Sequence, residues 1–199
     1  MKILIDNGHG ITTPGKCSPD GQFREYEYAR RVARETVSRL KAAGYDADLL
    51  VPEDADIALP QRAARANAQC DIYGKTNVLL ISIHTDAAPG PGWQSARGLS
   101  VRVSPSASDR SRQLAALLYD TAARYGKAVT GNRATPKTKY WQQSLYILNA
   151  TRCPAILTEN LFHTNRQDVA WLLTPEGLNT VVSYHVDAIK AYIARYGKK

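Results

Sequence analysis

The chain has 199 residues, of which 44% are hydrophobic and 22% charged, and its formal net charge is +8. That length allows one domain with a sizeable core, and the composition is typical of a globular protein. No apolar run approaches the roughly 20 residues of a membrane span. The first residues do not resemble a secretory signal. We therefore predict one domain over 1–199, without a transmembrane segment or signal peptide and with an unknown export route.

The positive charge favours an anionic partner, which could be a nucleic acid, a membrane surface or an acidic polymer such as a cell wall. The charge is spread along the chain and no nucleic-acid-binding motif occurs, so we predict no nucleic-acid partner. Cys17, Cys70 and Cys153 lie far apart without a CxxC spacing. They are typical of ordinary thiols and not of a disulfide framework or a zinc knuckle.

The first half of the chain alternates between predicted strands and helices. Residues 3–5 are a short apolar run of the buried-strand type, and a polar loop over 11–24 follows. An amphipathic helix comes next, with its apolar stripe on Ala29, Val32, Ala33, Val37 and Leu40. Basic residues fill its opposite face, which we expect to be solvated: Arg30, Arg31, Arg34, Arg39 and Lys41. Gly44 is placed to end this helix.

The remaining elements continue the alternation. Strands are predicted over 46–51, 78–83, 99–103, 145–148 and 155–158. Helices are predicted over 59–68, 106–125, 167–173 and 175–196. Two long loops, 85–97 and 130–143, separate the middle elements. This pattern is typical of an α/β fold.

Three of the buried-type runs each end in an ionisable side chain. His9 follows the first strand, His84 the strand over 78–83, and Glu159 the strand over 155–158. In open α/β sheets ligands bind at the carboxyl ends of the strands, so we expect these three residues to share one rim. Two imidazoles and a carboxylate on one rim indicate a metal site.

A second acid lies near the same rim. Glu25 precedes Ala29 by one helical turn, which puts it on the stripe that faces the sheet, whereas Glu27 should point to solvent. Hydrolytic zinc sites use two histidines and one carboxylate as ligands, and a second, unligated carboxylate can move protons. The chain offers Glu25 and Glu159 for these two roles, and an ordinary N-terminal helix acid is the alternative for Glu25.

Other catalytic arrangements find less support in the sequence. No compact HExxH spacing is present. Cysteine–histidine catalysis lacks a cysteine at a strand end next to a histidine, and a serine triad lacks its G-x-S-x-G elbow. Trp93 and Trp141 lie in the two long loops, where they are candidate substrate walls or local packing anchors.

Four blocks in the chain resemble the signature blocks of one enzyme family. They cover 5–10 (IDNGHG), 21–25 (GQFRE), 81–88 (ISIHTDAA) and 157–162 (LTENLF). In this order they look like zinc-dependent N-acetylmuramoyl-L-alanine amidases of the Amidase_3 type. The resemblance runs from about residue 2 to 195. It implies a single α/β domain with a mixed, mostly parallel sheet of about six strands flanked by helices, of the phosphorylase/hydrolase-like kind.

The resemblance implies that His9, Glu25 and His84 bind one Zn²⁺ and that Glu159 is the catalytic acid and base. The implied reaction cleaves the amide between the lactyl group of N-acetylmuramic acid and L-alanine in peptidoglycan. We further expect His163 to contact substrate, and Asp6 and Asp86 to orient the ligand imidazoles. We assign His185 a structural role in the last helix. The enzyme is expected to be a monomer that acts on the cell wall, in the periplasm or outside the cell.

The chain departs from the family pattern at two blocks. Thr85-Asp86 replaces the usual Ala-Asn, and the usual Glu-x-Gly-Phe becomes Glu159-Asn160-Leu161-Phe162. These changes spare the four functional positions but leave substrate preference open. The alternatives are a zinc peptidase or carboxypeptidase acting on another cell-wall amide, and a non-catalytic wall-binding module. The second would require the loss of a ligand or of Glu159. A phage lysin and a cellular amidase both fit the sequence.

Overall fold

The computed structural model describes residues 1–197. One six-stranded sheet lies between two layers of helices. The strands are β1 (Lys2–Asn7), β2 (Ala47–Leu49), β3 (Val78–Asp86), β4 (Ser100–Val103), β5 (Trp141–Gln142) and β6 (Ala155–Phe162). The helices are α1 (Glu25–Ala42), α2 (Leu59–Tyr73), α3 (Asp109–Ala123), α4 (Lys127–Thr130), α5 (Tyr146–Ala150), α6 (Arg166–Leu172) and α7 (Pro175–Tyr196). Among the described residues, no helix combines the length and apolar character needed to cross a membrane.

The strand order brings the three expected rim residues together. The order is β2-β1-β3-β6-β4-β5. The first four strands are parallel, β4 is antiparallel to β6, and β5 is parallel to β4. Asn7 lies beside Ile83, and His84 lies beside Glu159. The carboxyl ends of β1, β3 and β6 therefore form one rim, and the predicted mostly parallel α/β sheet is confirmed.

Both faces of the sheet are covered, which explains the continuous apolar runs of its central strands. On one face, Ile3, Ile81 and Ile156 join the larger core with residues of α1, α3 and α7. On the other face, Leu4 and Leu80 pack with residues of α2 and α5. Alternate residues of a strand point to opposite faces, so each central strand must be apolar on both.

One predicted strand is a helix. Residues 145–148 were expected to form a strand, but Tyr146–Ala150 is α5. Ile147 and Leu148 are both buried although they are adjacent, as a helix lying on α2 permits and a half-covered strand does not. A short apolar run cannot by itself distinguish the two structures. The sixth strand is instead β5, within the segment 130–143 that was expected to be a loop.

The end of β6 contains an irregularity beside Glu159. The register between β3 and β6 shifts between His84 and Asp86, and Leu161 has a φ of 67°. A side chain with a Cβ rarely adopts this left-handed conformation. Leu161 occupies the position where the resembling family has glycine, so the backbone keeps a glycine-type conformation while the side chain is fully buried.

The centre of the sheet should dominate stability. Ile81 is fully buried in β3, and its replacement by alanine should lower the free energy of unfolding by about 2–5 kcal/mol because a cavity remains. Ile72 on α2 is 71% exposed, so Ile72→Ala is the matched control, with an expected change within about 0.5 kcal/mol. Denaturant titration of both variants measures the difference. Equal losses would contradict this assignment of the core.

Candidate metal centre

His9, Glu25 and His84 form a cluster at the rim. Each offers one ligand atom, and these atoms all lie within 4.8 Å of one another. Nδ1 of His84 is 3.0 Å from Oε1 of Glu25, and Nε2 of His9 is 3.4 Å from Oε2. Ligand atoms about 2.1 Å from one tetrahedral ion are roughly 3.4 Å apart. The donor set and its spacing therefore fit a single metal ion.

Glu25 is positioned by the start of α1. It is the first residue of that helix and only 1% exposed. Its Oε1 accepts a hydrogen bond from the backbone N–H of Thr85, at 3.0 Å. Glu27 is exposed. The placement of these two acids that helix periodicity predicted is confirmed.

His9 is presented by a strained backbone. Its φ is 62°, a conformation that costs a non-glycine residue on the order of 1–3 kcal/mol. Two buried arginines hold this turn through the His9 carbonyl oxygen, which accepts from Nη1 and Nη2 of Arg30 and from Nη2 of Arg62 at 3.0–3.1 Å. These charge-assisted hydrogen bonds offset the strain and fix the direction of the His9 side chain.

The expectation that Arg30 lies on a solvated face is wrong. Arg30 is 4% exposed, and its guanidinium also donates to the carbonyl oxygen of Glu53. Arg30 borders the apolar stripe of α1, and its long side chain reaches the loop after β2. Arg62 was missed, although its position four residues before Ala66 puts it on the buried face of α2. Nη1 of Arg62 forms a 2.8 Å ion pair with Asp6.

Gly8 lets the two histidines approach each other. A Cβ at this position would lie 2.3 Å from Cε1 of His84, closer than any real contact. The imidazole rings of His9 and His84 meet edge to face, with centroids 4.9 Å apart. A side chain at position 8 would displace the His84 ring from Glu25.

The charges of Glu25 and His84 stabilise each other inside the protein. Burial alone would raise the pKa of Glu25, but hydrogen bonds to His84 and His9 lower it well below its usual range. For His84, burial opposes protonation, yet the contact with Glu25 raises its pKa. Glu25 is therefore an ionised carboxylate inside the protein, which is the form that binds a cation.

Glu159 lies next to this cluster with one oxygen unused. It pairs with His84 across β3 and β6. Its Oε2 is buried and has no hydrogen-bond partner within residues 1–197. Burial raises the pKa of Glu159 to about 7. An unpaired carboxyl group that changes charge near neutral pH is suited to proton transfer.

Asn160 fixes the strand that carries His84. Its side-chain N–H donates to the carbonyl oxygen of His84 at 2.8 Å, and its Oδ1 accepts from the hydroxyl of Tyr184 at 2.5 Å. His185 is fully buried, with Nε2 3.0 Å from Oγ1 of Thr158. Burial lowers the pKa of His185 to about 4, so it packs as a neutral side chain. No sequence signal identified the Asn160 contact.

The other predicted site residues lie around the cluster with different partners. His163 is 2% exposed, with Nδ1 3.0 Å from Oγ1 of Thr85 and 3.8 Å from Oε2 of Glu25. It faces the back of Glu25 and not an open cleft. The Asp6 carboxylate binds Arg62 and Ser82, and that of Asp86 binds two other arginines. Asp6 and Asp86 were expected to orient the ligand imidazoles, but their carboxylates bind these other side chains instead.

The two loop tryptophans lie on different surfaces. Trp93 packs under Arg166, whose guanidinium carbon is 4.6 Å from the ring centre. It lines a hollow of about 540 Å³ that none of the three clustered ligands lines. Trp141 packs against Tyr119, with ring centres 6.4 Å apart, and against Arg133. Through Arg133, Trp141 belongs to the surroundings of Asp86.

A cleft of about 420 Å³ opens beside the cluster. His9 and His84 form part of its wall, together with the exposed Leu59 at the start of α2. A molecule in this cleft would meet both imidazoles. A rim of an α/β sheet that carries two histidines and a carboxylate, beside a free carboxyl group, is typical of a metal-dependent hydrolase.

Comparison with known families agrees with this class. The Amidase_3 family, described as N-acetylmuramoyl-L-alanine amidase, matches residues 3–191. The chain therefore belongs to the N-acetylmuramoyl-L-alanine amidases of the Amidase_3 family.

Two characterised proteins are similar in sequence. The endolysin of Bacillus phage SPP1 is 27% identical over 191 residues, which cover 94% of this chain and 64% of that protein. The N-acetylmuramoyl-L-alanine amidase AmiC of Neisseria meningitidis is 38% identical over 100 residues, which cover 50% of this chain and 21% of that protein. The matched region thus spans less than two thirds of either relative.

Solved structures share the fold. An N-acetylmuramoyl-L-alanine amidase of Clostridium difficile superposes with a TM-score of 0.83 at 23% identity, covering 98% of both chains. The catalytic domain of the amidase CwlV of Bacillus (Paenibacillus) polymyxa gives a TM-score of 0.81 at 22% identity, covering 98% of this chain and 99% of the other. The α/β domain is therefore the fold of these amidases.

Gly8 provides a test of the geometry. Gly8→Ala should weaken binding of a divalent metal about 10- to 100-fold, because the added methyl displaces the His84 ring. Gly15→Ala is the control, since a Cβ there meets open space although its φ of 70° is strained. Competition with a chromophoric chelator measures both affinities. Wild-type affinity in folded Gly8→Ala would show that the approach of the rings is not required.

Proposed function

We propose that the chain hydrolyses the amide between the lactyl group of N-acetylmuramic acid and L-alanine in peptidoglycan, with one Zn²⁺ at His9, Glu25 and His84. The observation that carries this proposal is the cluster of two imidazoles and one ionised carboxylate beside a partnerless carboxyl group, in a chain of this family. This donor set is the one that hydrolytic zinc sites use.

The cluster has the properties that such an ion requires. Glu25 is charged and buried, and its Oε1 is already oriented by Thr85. His9 and His84 are fixed from behind by hydrogen bonds to their carbonyl oxygens. When bound, Zn²⁺ supplies polarisation of the substrate carbonyl and a lower pKa for water.

Glu159 is proposed to move the proton. Its free Oε2 can accept a proton from the attacking water and donate it to the departing alanine nitrogen. Because burial holds its pKa near 7, both transfers are accessible at neutral pH. We propose that His163 supports Glu25 from behind and does not touch substrate, since it is almost fully buried.

The partner is proposed to be peptidoglycan or a muropeptide, acted on at the cell wall by a monomer. The relatives support the wall as the place of action, since one is named an endolysin and the other an N-acetylmuramoyl-L-alanine amidase. The net charge of +8 favours a substrate whose stem peptides carry free carboxylates. Free carboxylates lie on the peptide side of the scissile amide.

Two variants separate metal binding from proton transfer. Glu159→Gln should retain one zinc ion per chain and lose at least about 100-fold in kcat, because it removes the proton carrier alone. His84→Ala should lower the zinc content, because a ligand is removed. Atomic absorption on both purified proteins, with turnover measured in parallel, gives the comparison. A Glu159→Gln protein without zinc would contradict the division of roles, as would a fully loaded His84→Ala protein.

The scissile bond is identified by digestion of purified cell wall. We expect a new L-alanine amino terminus, formed with Zn²⁺ and abolished by a chelator. The metal is needed throughout, since the carbonyl is otherwise unactivated. A different new amino terminus would support the alternative zinc peptidase. Digestion unaffected by complete metal removal would overturn the metal assignment.

A further inference from the structure

A pair of arginines shares one carboxylate at the rim beside Glu159. Arg102 belongs to β4, and Arg133 to the segment between α4 and β5. Their Nη2 atoms lie 3.0 Å and 2.6 Å from Oδ2 of Asp86. Two guanidinium groups against one carboxylate leave one positive charge in excess, and Arg102 is close enough to Glu159 to lower the pKa of that carboxyl group. Asp86 follows His84 by two residues on β3, so this charge is close to the metal centre.

The donors of this pair are mostly unused. A guanidinium has five N–H donors. In the part of the chain that the structure describes, Oδ2 of Asp86 is the only hydrogen-bond acceptor of either arginine. Nε of Arg102 is buried without a partner. Most N–H donors of the two guanidinium groups are therefore available to a ligand that reaches the rim.

Arg62 shows how a purely structural arginine is accommodated in the same protein. Its guanidinium makes five hydrogen bonds, to three backbone carbonyl oxygens and to the carboxylates of Asp6 and Asp56. Arg62 is also 2% exposed. The side chains of Arg102 and Arg133 are 17% and 19% exposed, so a ligand at the rim can reach them.

The pair is held in place before any ligand binds. The guanidinium carbon of Arg133 lies 4.4 Å from the ring centre of Phe162 and 5.6 Å from that of Trp141. Arg102 is fixed by its strand and by Asp86. Arginines held in this way bind a carboxylate with little loss of side-chain freedom.

The position relative to the metal centre defines which carboxylate would bind. Ser100, two residues before Arg102 on β4, lies directly opposite Glu159. Asp86 is two strand residues beyond His84, a distance of about 7 Å along the strand. That distance spans roughly two residues of an extended peptide, the alanine at the metal and the residue after it. A carboxylate bound by the arginines would therefore belong to the residue that follows the alanine.

We propose that Arg102 and Arg133 form a subsite for a free carboxylate of the departing stem peptide. The inference rests on the proposed function, because the peptide is the leaving group only if the lactyl amide is cleaved. Two guanidinium groups provide paired N–H donors that match the two oxygens of a carboxylate. The subsite would select substrates with an acidic residue next to the alanine.

Three small substrates test this subsite on the zinc-loaded full chain. They are N-acetylmuramoyl-L-alanyl-D-glutamate and its two analogues in which either the α-carboxylate or the side-chain carboxylate is a carboxamide. One of the two amidations should lower kcat/KM about 10- to 100-fold, mainly through KM, because a charge-assisted hydrogen bond is lost. The sensitive analogue identifies which carboxylate is bound.

Variants connect the preference to the arginines. Arg102→Gln and Arg133→Gln should each remove the discrimination between the acid and the sensitive amide. The charge-matched control is Arg124→Gln, at an exposed position after α3, which should keep it. Zinc content and circular dichroism verify each protein. If Arg133→Gln disturbs its loop, Arg102→Gln gives the result alone, because its strand position does not depend on that loop.

The outcomes separate the subsite from the proposed function. Equal kcat/KM for all three substrates, with cleavage at the lactyl amide, would overturn the subsite and leave the amidase function intact. Discrimination that survives in Arg102→Gln would likewise assign the preference to other residues. No cleavage of the lactyl amide in any substrate would overturn the proposed function, and the subsite with it.

Discussion

The burial of the Glu25 carboxylate is the constraint on which the site depends. A charged carboxylate removed from water is costly unless cationic or hydrogen-bonding groups surround it. Here Thr85 donates to it from β3, and His9 and His84 lie against its two oxygens. His9 is far in the chain from His84 and Thr85, so the sheet must bring them together around Glu25. The fold thereby maintains a negative charge between two imidazoles, where a cation can bind.

Strained backbone at two strand ends is the structural cost of this arrangement. His9 and Leu161 both have positive φ values. His9 lies two residues after the end of β1, and Leu161 lies two residues after Glu159 near the end of β6. At His9 the strain is balanced by Arg30 and Arg62, which bind the carbonyl oxygen of the turn. At Leu161 it is balanced by full burial of the side chain. Leu161 therefore holds a backbone conformation that favours glycine.

The sequence predicted the parts of the site that follow from periodicity. Strand ends placed His9, His84 and Glu159, and helix phase placed Glu25, because these positions depend only on regular backbone geometry. The sequence-based prediction failed for Arg30, whose long side chain reaches partners that helix periodicity does not specify. Arg30 was assigned to solvent because periodicity describes the direction of a Cβ and not the reach of a guanidinium. The prediction of a strand over 145–148 was wrong for a related reason. A short run of consecutive apolar residues shows neither helical nor strand periodicity, so it does not distinguish the two structures.

The two halves of the sheet contribute different functions. The parallel strands β1 and β3, with β6, carry the cluster and Glu159, and their geometry is fixed by contacts that extend into both cores. The antiparallel β4 and the short β5 approach Glu159 from the other side with Arg102 and Trp141. Within residues 1–197, no hydrogen bond joins a side chain of β4 or β5 to Glu25 or to its partners. Arg102 on β4 nevertheless acts on the reaction centre, because its charge lowers the pKa of Glu159. The antiparallel half of the sheet therefore influences Glu159 by charge, whereas the parallel half positions the cluster by direct contact.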